Sequence, residues 1–262
     1  MKPIAEDEPF LLVTIPQSHY CEKVRWALDR LDARYTEEPH LPMLHLPATL
    51  LRGGKRTVPF LKSRGGKFDD STDILHYLDQ FAPSDRKLFP EQDPDRAEVE
   101  KLEARFDEIL GPATRLWVYV HLLPNKDLSV SIVEHSVPRY QVLIGKPMFA
   151  VVRWMMAWRL DINTETEKSS LRDMRMIFDE VGQRLSDGRK YLVGNRLTAA
   201  DVTFASLSAV ILLPPEYAGP LPTLEVCPPA MKAMVEELRA HPAGQFALRL
   251  FREERGRKKP TA

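Results

Sequence analysis

Cysteine is scarce in this chain: only Cys21 and Cys227 occur in 262 residues, and they lie far apart in sequence. That excludes a disulfide framework and makes a reducing compartment, the cytoplasm, the expected setting. Net charge is also missing. Lys+Arg and Asp+Glu number 37 each, so no global field recruits nucleic acid or an anionic membrane. No apolar run reaches the roughly 18 residues that a membrane span needs. The nearest, Met148–Trp158, is interrupted by Arg153 and reads as a buried helix. The N-terminal MKPIAEDEPF has three acids and no apolar core, so a secretory signal is not expected. The basic run Arg252–Lys259 reads as a solvated end. His40, His76, His121, His135 and His241 have no metal-ligand spacing, no metal is expected, and no phosphate-loop or dinucleotide fingerprint occurs.

What remains is an ordinary globular composition, 44% hydrophobic and 28% charged, able to build a real core. The first 80 residues mix two periodicities. Phe10–Ile15 is a continuous apolar strand of the buried kind. Cys21, Val24, Leu28 and Leu31 follow at helical steps and give one apolar helix face. Strands are expected around Arg34–Glu38, Val58–Leu61 and Lys67-Phe68, and a helix on Ile74, Leu75, Leu78 and Phe81. The order strand, helix, strand, irregular helix, strand, strand, helix implies a small sheet with helices on its faces.

Strand signals then stop. Ala82–Pro90 has the proline and charge content of a linker. Helical stripes follow on Val99, Leu102, Phe106 and Ile109, with Gly111-Pro112 kinking or breaking that helix, and on Leu171, Met174, Phe178, Val181 and Leu185. Thr198 and Asp201 have capping-box spacing, and Leu197 and Val202 are placed as a hydrophobic staple. The expected architecture is α+β: an α/β domain over residues 8–82, a linker over 83–91 and an all-helical domain over 92–255.

Three stretches carry chemistry. In QSHYCEKVRW, Ser18 opens a helix after a strand, where backbone N–H groups and the positive end of the helix dipole stabilise a thiolate. That thiolate belongs either to Cys21 or to a ligand. Pro59 starts an apolar strand: a trans bond suits an edge strand, whereas a cis bond leaves the N–H and C=O of Val58 free to grip an extended peptide. Asp70 and Ser71 open the next helix, either as caps or as a site for an amino acid's ammonium and carboxylate.

Together these residues resemble the cytosolic glutathione transferases: Ser18 on the strand-to-helix turn, Val58-Pro59, Asp70-Ser71, and the Thr198–Asp201 box. The resemblance covers about residues 8–210. It implies a thioredoxin-like first domain followed by an all-α domain, a cis bond before Pro59, glutathione as co-substrate, a small apolar electrophile as second substrate, a detoxification role and a homodimer. The spacing from Pro59 to Asp70-Ser71 is tau-like, and Ser18 matches the active residue of the serine-type and omega classes. Asp70 departs from the commoner Glu, and His19 stands where a proline is usual.

By the same resemblance Ser18 is the catalytic residue, donating to the glutathione sulfur, with Tyr20 or a backbone N–H as alternatives. A preference for the thiolate of roughly 2 pKa units is about 2.7 kcal/mol. Val58, Pro59, Asp70 and Ser71 would bind glutathione, with Lys55 or Arg56, or less readily His45, on its glycine carboxylate. Cys21 falls where the second cysteine of a glutaredoxin CPYC motif sits, but its apolar stripe also fits an inert core thiol. Trp117 and His121 share a helix face and line either the electrophile pocket or the core. The segment Ser136–Trp158, rich in Met, Phe and Trp, is expected to cover that pocket. A thiol transferase or peroxidase using Cys21, or a non-catalytic interaction protein, are the competing functions.

Overall fold

The computed structural model describes residues 9–91 and 93–255. The expected N-terminal reading and the last part of the basic run, from residue 256, fall outside or partly outside these. Strand β1 (Phe10–Thr14) leads into α1 (His19–Arg30), β2 (Tyr35–Pro39), α2 (His45–Leu51), β3 (Phe60–Ser63), β4 (Gly66–Phe68) and α3 (Ser71–Asp79). The sheet order is β2-β1-β3-β4. β1 runs parallel to β2, with Phe10 opposite Tyr35, and antiparallel to β3, with Val13 opposite Phe60. This is the thioredoxin-like arrangement, in the order of elements that the periodicities indicate.

Alternation along β1 decides what each face of the sheet meets. Phe10 and Leu12 join Val24, Leu28, Ile74 and Leu78 in the main core, so α1 and α3 lie on that side. Val13 turns the other way, to Phe60 and to Ala48 of α2. The sheet is therefore covered on both faces, which is why its central strand is apolar from Phe10 to Val13.

Beyond α3 the described residues are helical: α4 (Asp93–Arg105), a π-helical turn (Phe106–Leu110), α5 (Gly111–Leu122), α6 (Lys126–Val133), α7 (Arg139–Arg159), α8 (Thr164–Arg184), α9 (Ala199–Leu212), α10 (Pro229–Ala240) and α11 (Pro242–Leu250), which runs into a second π-helical turn at Phe251–Arg255. Every residue of α9 is buried. Its start is locked as the capping-box spacing indicates: Asp201 accepts from the Thr198 N–H at 2.8 Å, the Thr198 hydroxyl at 2.7 Å and the Leu192 N–H at 2.8 Å.

Four expectations are corrected. Helix α1 is not one-faced, because Glu22, Lys23 and Arg25 are as buried as Val24 and Leu28. Their charges are matched inside: Arg25 on Glu37 at 2.6 Å, Lys23 on Glu103 and on Asp107 at 2.7 Å, and Glu22 on Arg255 at 2.7 Å. Arg255 is consequently not part of a solvated tail. Only 4% of it is exposed, and it also reaches Asp29 at 2.7 Å. Gly111-Pro112 does not break its helix; the chain widens by one π turn before it and continues. Finally, the run Met148–Trp158 is not buried. Gln141 is the one buried residue of α7, and much of its apolar surface faces outward.

Removing one member of a buried ion network strands the others. Arg255→Met is expected to lower stability by about 3–5 kcal/mol, read as a lower urea midpoint at unchanged slope.

Candidate functional site

The turn between β1 and α1 is held from three sides. The Ser18 N–H donates to the Ile15 carbonyl at 2.9 Å. The Tyr217 hydroxyl donates to the Gln17 carbonyl at 3.0 Å. Gly219 comes so close that a Cβ there would stand 2.0 Å from the Pro16 carbonyl oxygen. Ser18 is the N-cap of α1, and its Oγ accepts from the Cys21 N–H at 3.4 Å. That contact uses a lone pair of the oxygen. The Cys21 thiol also bonds Ser18; as a protonated S–H it donates to the Oγ, which leaves the hydroxyl hydrogen for a ligand.

The three side chains after Ser18 are each neutralised by burial. His19 Nε2–H donates to the Gly111 carbonyl, 2.9 Å away, and burial pushes its pKa down to about 4, so the ring that makes this bond is neutral. Burial first, and Asp107 second, push the Tyr20 hydroxyl well above its ordinary value. The Cys21 thiol is fully buried and pushed up to about 11. A protonated thiol with no access is no nucleophile.

Tyr20 has a structural partner that explains the π turn. In that turn the Gly111 N–H bonds to Phe106 O, one residue further back than in an α-helix. Asp107 O is thereby released, and the Tyr20 hydroxyl fills it at 2.9 Å. Gly111 makes room, since a Cβ there would lie 2.0 Å from the Tyr20 oxygen. Tyr20's proton is thus committed to a carbonyl.

Val58-Pro59 is cis. Val58 lies outside the paired stretch of β3, and among the described residues neither its N–H nor its C=O has a hydrogen-bond partner. Next to it, the Thr57 hydroxyl donates to the Asp69 carbonyl at 3.2 Å, and the Lys55 N–H donates to Asp69 Oδ1 at 2.6 Å. These bonds set the Lys55–Val58 segment beside the start of α3. There Asp70 caps the helix through Oδ1, accepting from Thr72 at 2.8 Å and Asp73 at 3.3 Å. Its Oδ2 is left over, as are the hydroxyl and N–H of Ser71. Lys23 of α1 reaches Thr72 at 3.3 Å, tying the two helix starts together.

A cleft of about 430 Å³ opens from this turn toward the helical half, within the range of small-molecule sites. Ser18, Tyr20, Arg56 and Val58 line one end. Arg115, Val118, Tyr119 and Leu122 of α5 form a second wall, and α6 and α7 close it with aliphatic and methionine side chains. Among the described residues its lining contains Arg56, Arg115 and Lys146 but no Asp or Glu. Lys146 pairs with Glu134 at 3.0 Å, whereas the buried Nε of Arg115 has no partner.

Residues 12–86 match the family model for the glutathione S-transferase N-terminal domain. No curated protein matches the chain. Among solved structures, a glutathione transferase of Phanerochaete chrysosporium is 19% identical with a TM-score of 0.62, covering 96% of this chain and 99% of its own. A glutathione S-transferase of Xanthobacter autotrophicus Py2 is 13% identical with a TM-score of 0.60, covering 96% of both chains. One from Methylobacillus flagellatus KT, solved with GSH bound, is 16% identical with a TM-score of 0.52, covering 91% and 98%. The fold is that of the glutathione S-transferases.

Within this glutathione S-transferase fold, Ser18, Arg56 and Val58 meet in one cleft wall, with Asp70 and Ser71 adjoining it through Thr57 and Asp69. Lys55 is exposed and does not line the cleft. His45 is no cation for a carboxylate: burial lowers its pKa, and its Nε2 faces the Arg56 carbonyl at 3.4 Å. Trp117 and His121 turn away from the cleft. Trp117 is buried, and His121 lies against it and near Glu167 at 3.4 Å. The cleft face of α5 is the row Arg115, Val118, Tyr119 and Leu122, which has helical spacing in the sequence but is overshadowed there by the aromatic pair. Helix α7 does line the cleft, as the position of Ser136–Trp158 suggests.

If Tyr20 serves the π turn, Tyr20→Phe should cost about 1–2 kcal/mol in chemical denaturation, by stranding a buried carbonyl, while leaving glutathione-dependent turnover within a few fold. A loss of turnover without a loss of stability would instead make Tyr20 the thiol's partner.

Proposed function

We propose that this protein is a glutathione transferase in which Ser18 donates a hydrogen bond to the glutathione sulfur, favouring the thiolate for attack on an apolar electrophile. The observation that carries the reading is the meeting of the Ser18 hydroxyl and the unpaired Val58 backbone in the wall of one apolar cleft. An extended peptide pairs with such a backbone as an added strand, its cysteine sulfur reaching the start of α1. The family match over residues 12–86 and the glutathione-bound neighbour support the same ligand. Arg56 is the cation for the glycine carboxylate, and Asp70 Oδ2 with the Ser71 N–H and hydroxyl takes the γ-glutamyl end. A cytoplasmic homodimer is part of this reading, carried by the resemblance.

In the reaction, the thiol proton leaves to solvent and the sulfur lone pair forms the new bond to carbon as the leaving group departs with its bonding pair or, in a conjugate addition, as the C=C π bond opens and the α-carbon takes a proton from solvent. The residues here bind and orient; the dipole of α1 and the Ser18 hydroxyl lower the thiol pKa, and the adjoining cleft supplies proximity. Arg115 gives the second site a preference. A guanidinium without a partner, in an apolar wall without acids, selects electrophiles that carry an anionic group such as a carboxylate.

The first test is retention on immobilised glutathione, then conjugation kinetics for wild type, Ser18→Ala and Cys21→Ala. Ser18→Ala should lower kcat/KM by about tenfold and raise the pKa of the bound thiol by about 1 unit, the helix dipole and N–H groups keeping the rest, with Cys21→Ala near wild type. Binding without turnover on a broad electrophile panel would make the protein an interaction module, and loss confined to Cys21→Ala would make it a thiol transferase.

The second test is Arg115→Gln. It should raise KM for carboxylate-bearing electrophiles about tenfold or more, the range for a hydrogen bond to a charged group, and leave neutral electrophiles nearly unchanged. An equal loss on both classes would place Arg115's action on the sulfur instead.

A further inference from the structure

Helix α7 is apolar on two opposite faces. One, through Val142, Phe149, Val152 and Met156, lines the cleft. The other runs along Tyr140, Leu143, Pro147, Trp154 and Trp158, at steps of three, four and seven. This second stripe faces outward: Leu143 is 72% exposed, Trp154 68% and Trp158 72%. It extends beyond the helix, because Leu51 of α2, 87% exposed, shares a crevice with Tyr140 and Ile144. A contiguous apolar patch of this kind marks a surface that something covers.

The charges on the helix say what. Arg139, Lys146 and Arg153 recur every seven residues and so share one flank of the stripe, and Arg159 closes its C-terminal end. The helix contains no acid. Only Lys146 has an ion-pair partner, Glu134; Arg139, Arg153 and Arg159 have none among the described residues. We infer that α7 docks this protein onto an anionic bilayer surface. The helix lies in the plane of the interface, with its outer stripe among the upper acyl chains, Trp154 and Trp158 at headgroup level, and its arginines extended to lipid phosphates. It does not span: among the described residues no helix is long and apolar enough to cross a membrane. A second copy of the chain fits less well. Two α7 stripes face to face bring their basic rows together with no acid on either helix to offset the repulsion. The docking face lies opposite the cleft and stands whatever molecule the cleft takes.

Trp26 and Trp117 are buried, so a change in tryptophan emission on membrane binding reports Trp154 and Trp158. The full-length protein should co-sediment with vesicles of equimolar phosphatidylcholine and phosphatidylglycerol, its emission shifting to the blue and being quenched by bromine-labelled acyl chains. Pure phosphatidylcholine vesicles and high salt should weaken binding. Arg139→Gln and Arg153→Gln should each weaken partitioning about fivefold, and a Trp154→Ser, Trp158→Ser variant more. The quenching on wild type requires no variant to fold. Absence of co-sedimentation and quenching on the mixed vesicles overturns the inference. So does a concentration-dependent dimer in which Trp154 and Trp158 become protected from an aqueous quencher, since the second copy would then be the cover.

Discussion

Helix α1 brings three charged side chains, Glu22, Lys23 and Arg25, into the interior, and the rest of the molecule is arranged to meet them. An unpaired charge there costs several kcal/mol, so each must find an opposite charge in another element. Arg25 takes Glu37 at the edge of the sheet, Lys23 takes Glu103 and Asp107 near the end of α4 and in the π turn, and Glu22 takes Arg255 from the far end of the chain. The network therefore joins the strand-containing part to the helical part through one helix. Because the charges pair only in one placement, the network also fixes the direction in which the N-terminus of α1 points. Ser18 sits there. The position of the proposed thiol-binding hydroxyl follows from ion pairs four, five and seven residues further on.

Much of the fold was legible in the sequence because it rests on local rules. The apolar run at Phe10, the helical steps from Cys21 to Leu28, and the Thr198–Asp201 box each declare themselves within a dozen residues. What escaped depends on distant partners. Lys23 and Arg25 occupy helix positions that, without knowledge of Glu103, Asp107 and Glu37, read as solvated. The π turn depends on a tyrosine 87 residues earlier in the chain, whose hydroxyl completes Asp107 O. The burial of Arg255 depends on Glu22 and Asp29, more than two hundred residues away. In the site, the residues at the turn and at Val58 were legible from their order and spacing. Arg115 was not, since a lone arginine among aromatic neighbours carries no pattern until the missing counter-charge is seen.

Helix α7 shows a different limit. A run apolar on every side is read as buried, by the rule that holds for helices inside globular proteins. Here only its inner side meets protein. Gln141 anchors its start, with the amide oxygen accepting from the Leu41 N–H at 2.9 Å and the amide nitrogen 2.9 Å from His40 Nδ1. Gly145 allows the close approach, since a Cβ would stand 2.7 Å from Leu41. These contacts hold the helix across the cleft without covering its back. Composition alone cannot distinguish a helix with two protein neighbours from one with a single neighbour and a free face.

One cause, burial, gives the turn its electrostatic character. It drives the His19 imidazole toward its neutral form and holds the Tyr20 hydroxyl and the Cys21 thiol protonated. The same dehydration therefore acts downward on a base and upward on two acids, and in each case it favours the uncharged state. Around neutral pH no side chain adjacent to Ser18 on the turn carries charge. What is left is the dipole of α1 and, across the cleft, the guanidinium of Arg115, both positive toward the space between them. An anion entering that space meets no competing negative group in the cleft lining among the described residues. It is also poorly screened, because the surrounding walls are apolar. A single hydroxyl is a weak means of stabilising a thiolate in water. At the end of a helix, in a wall without negative charge, the same hydroxyl acts in a field that already favours the negative sulfur.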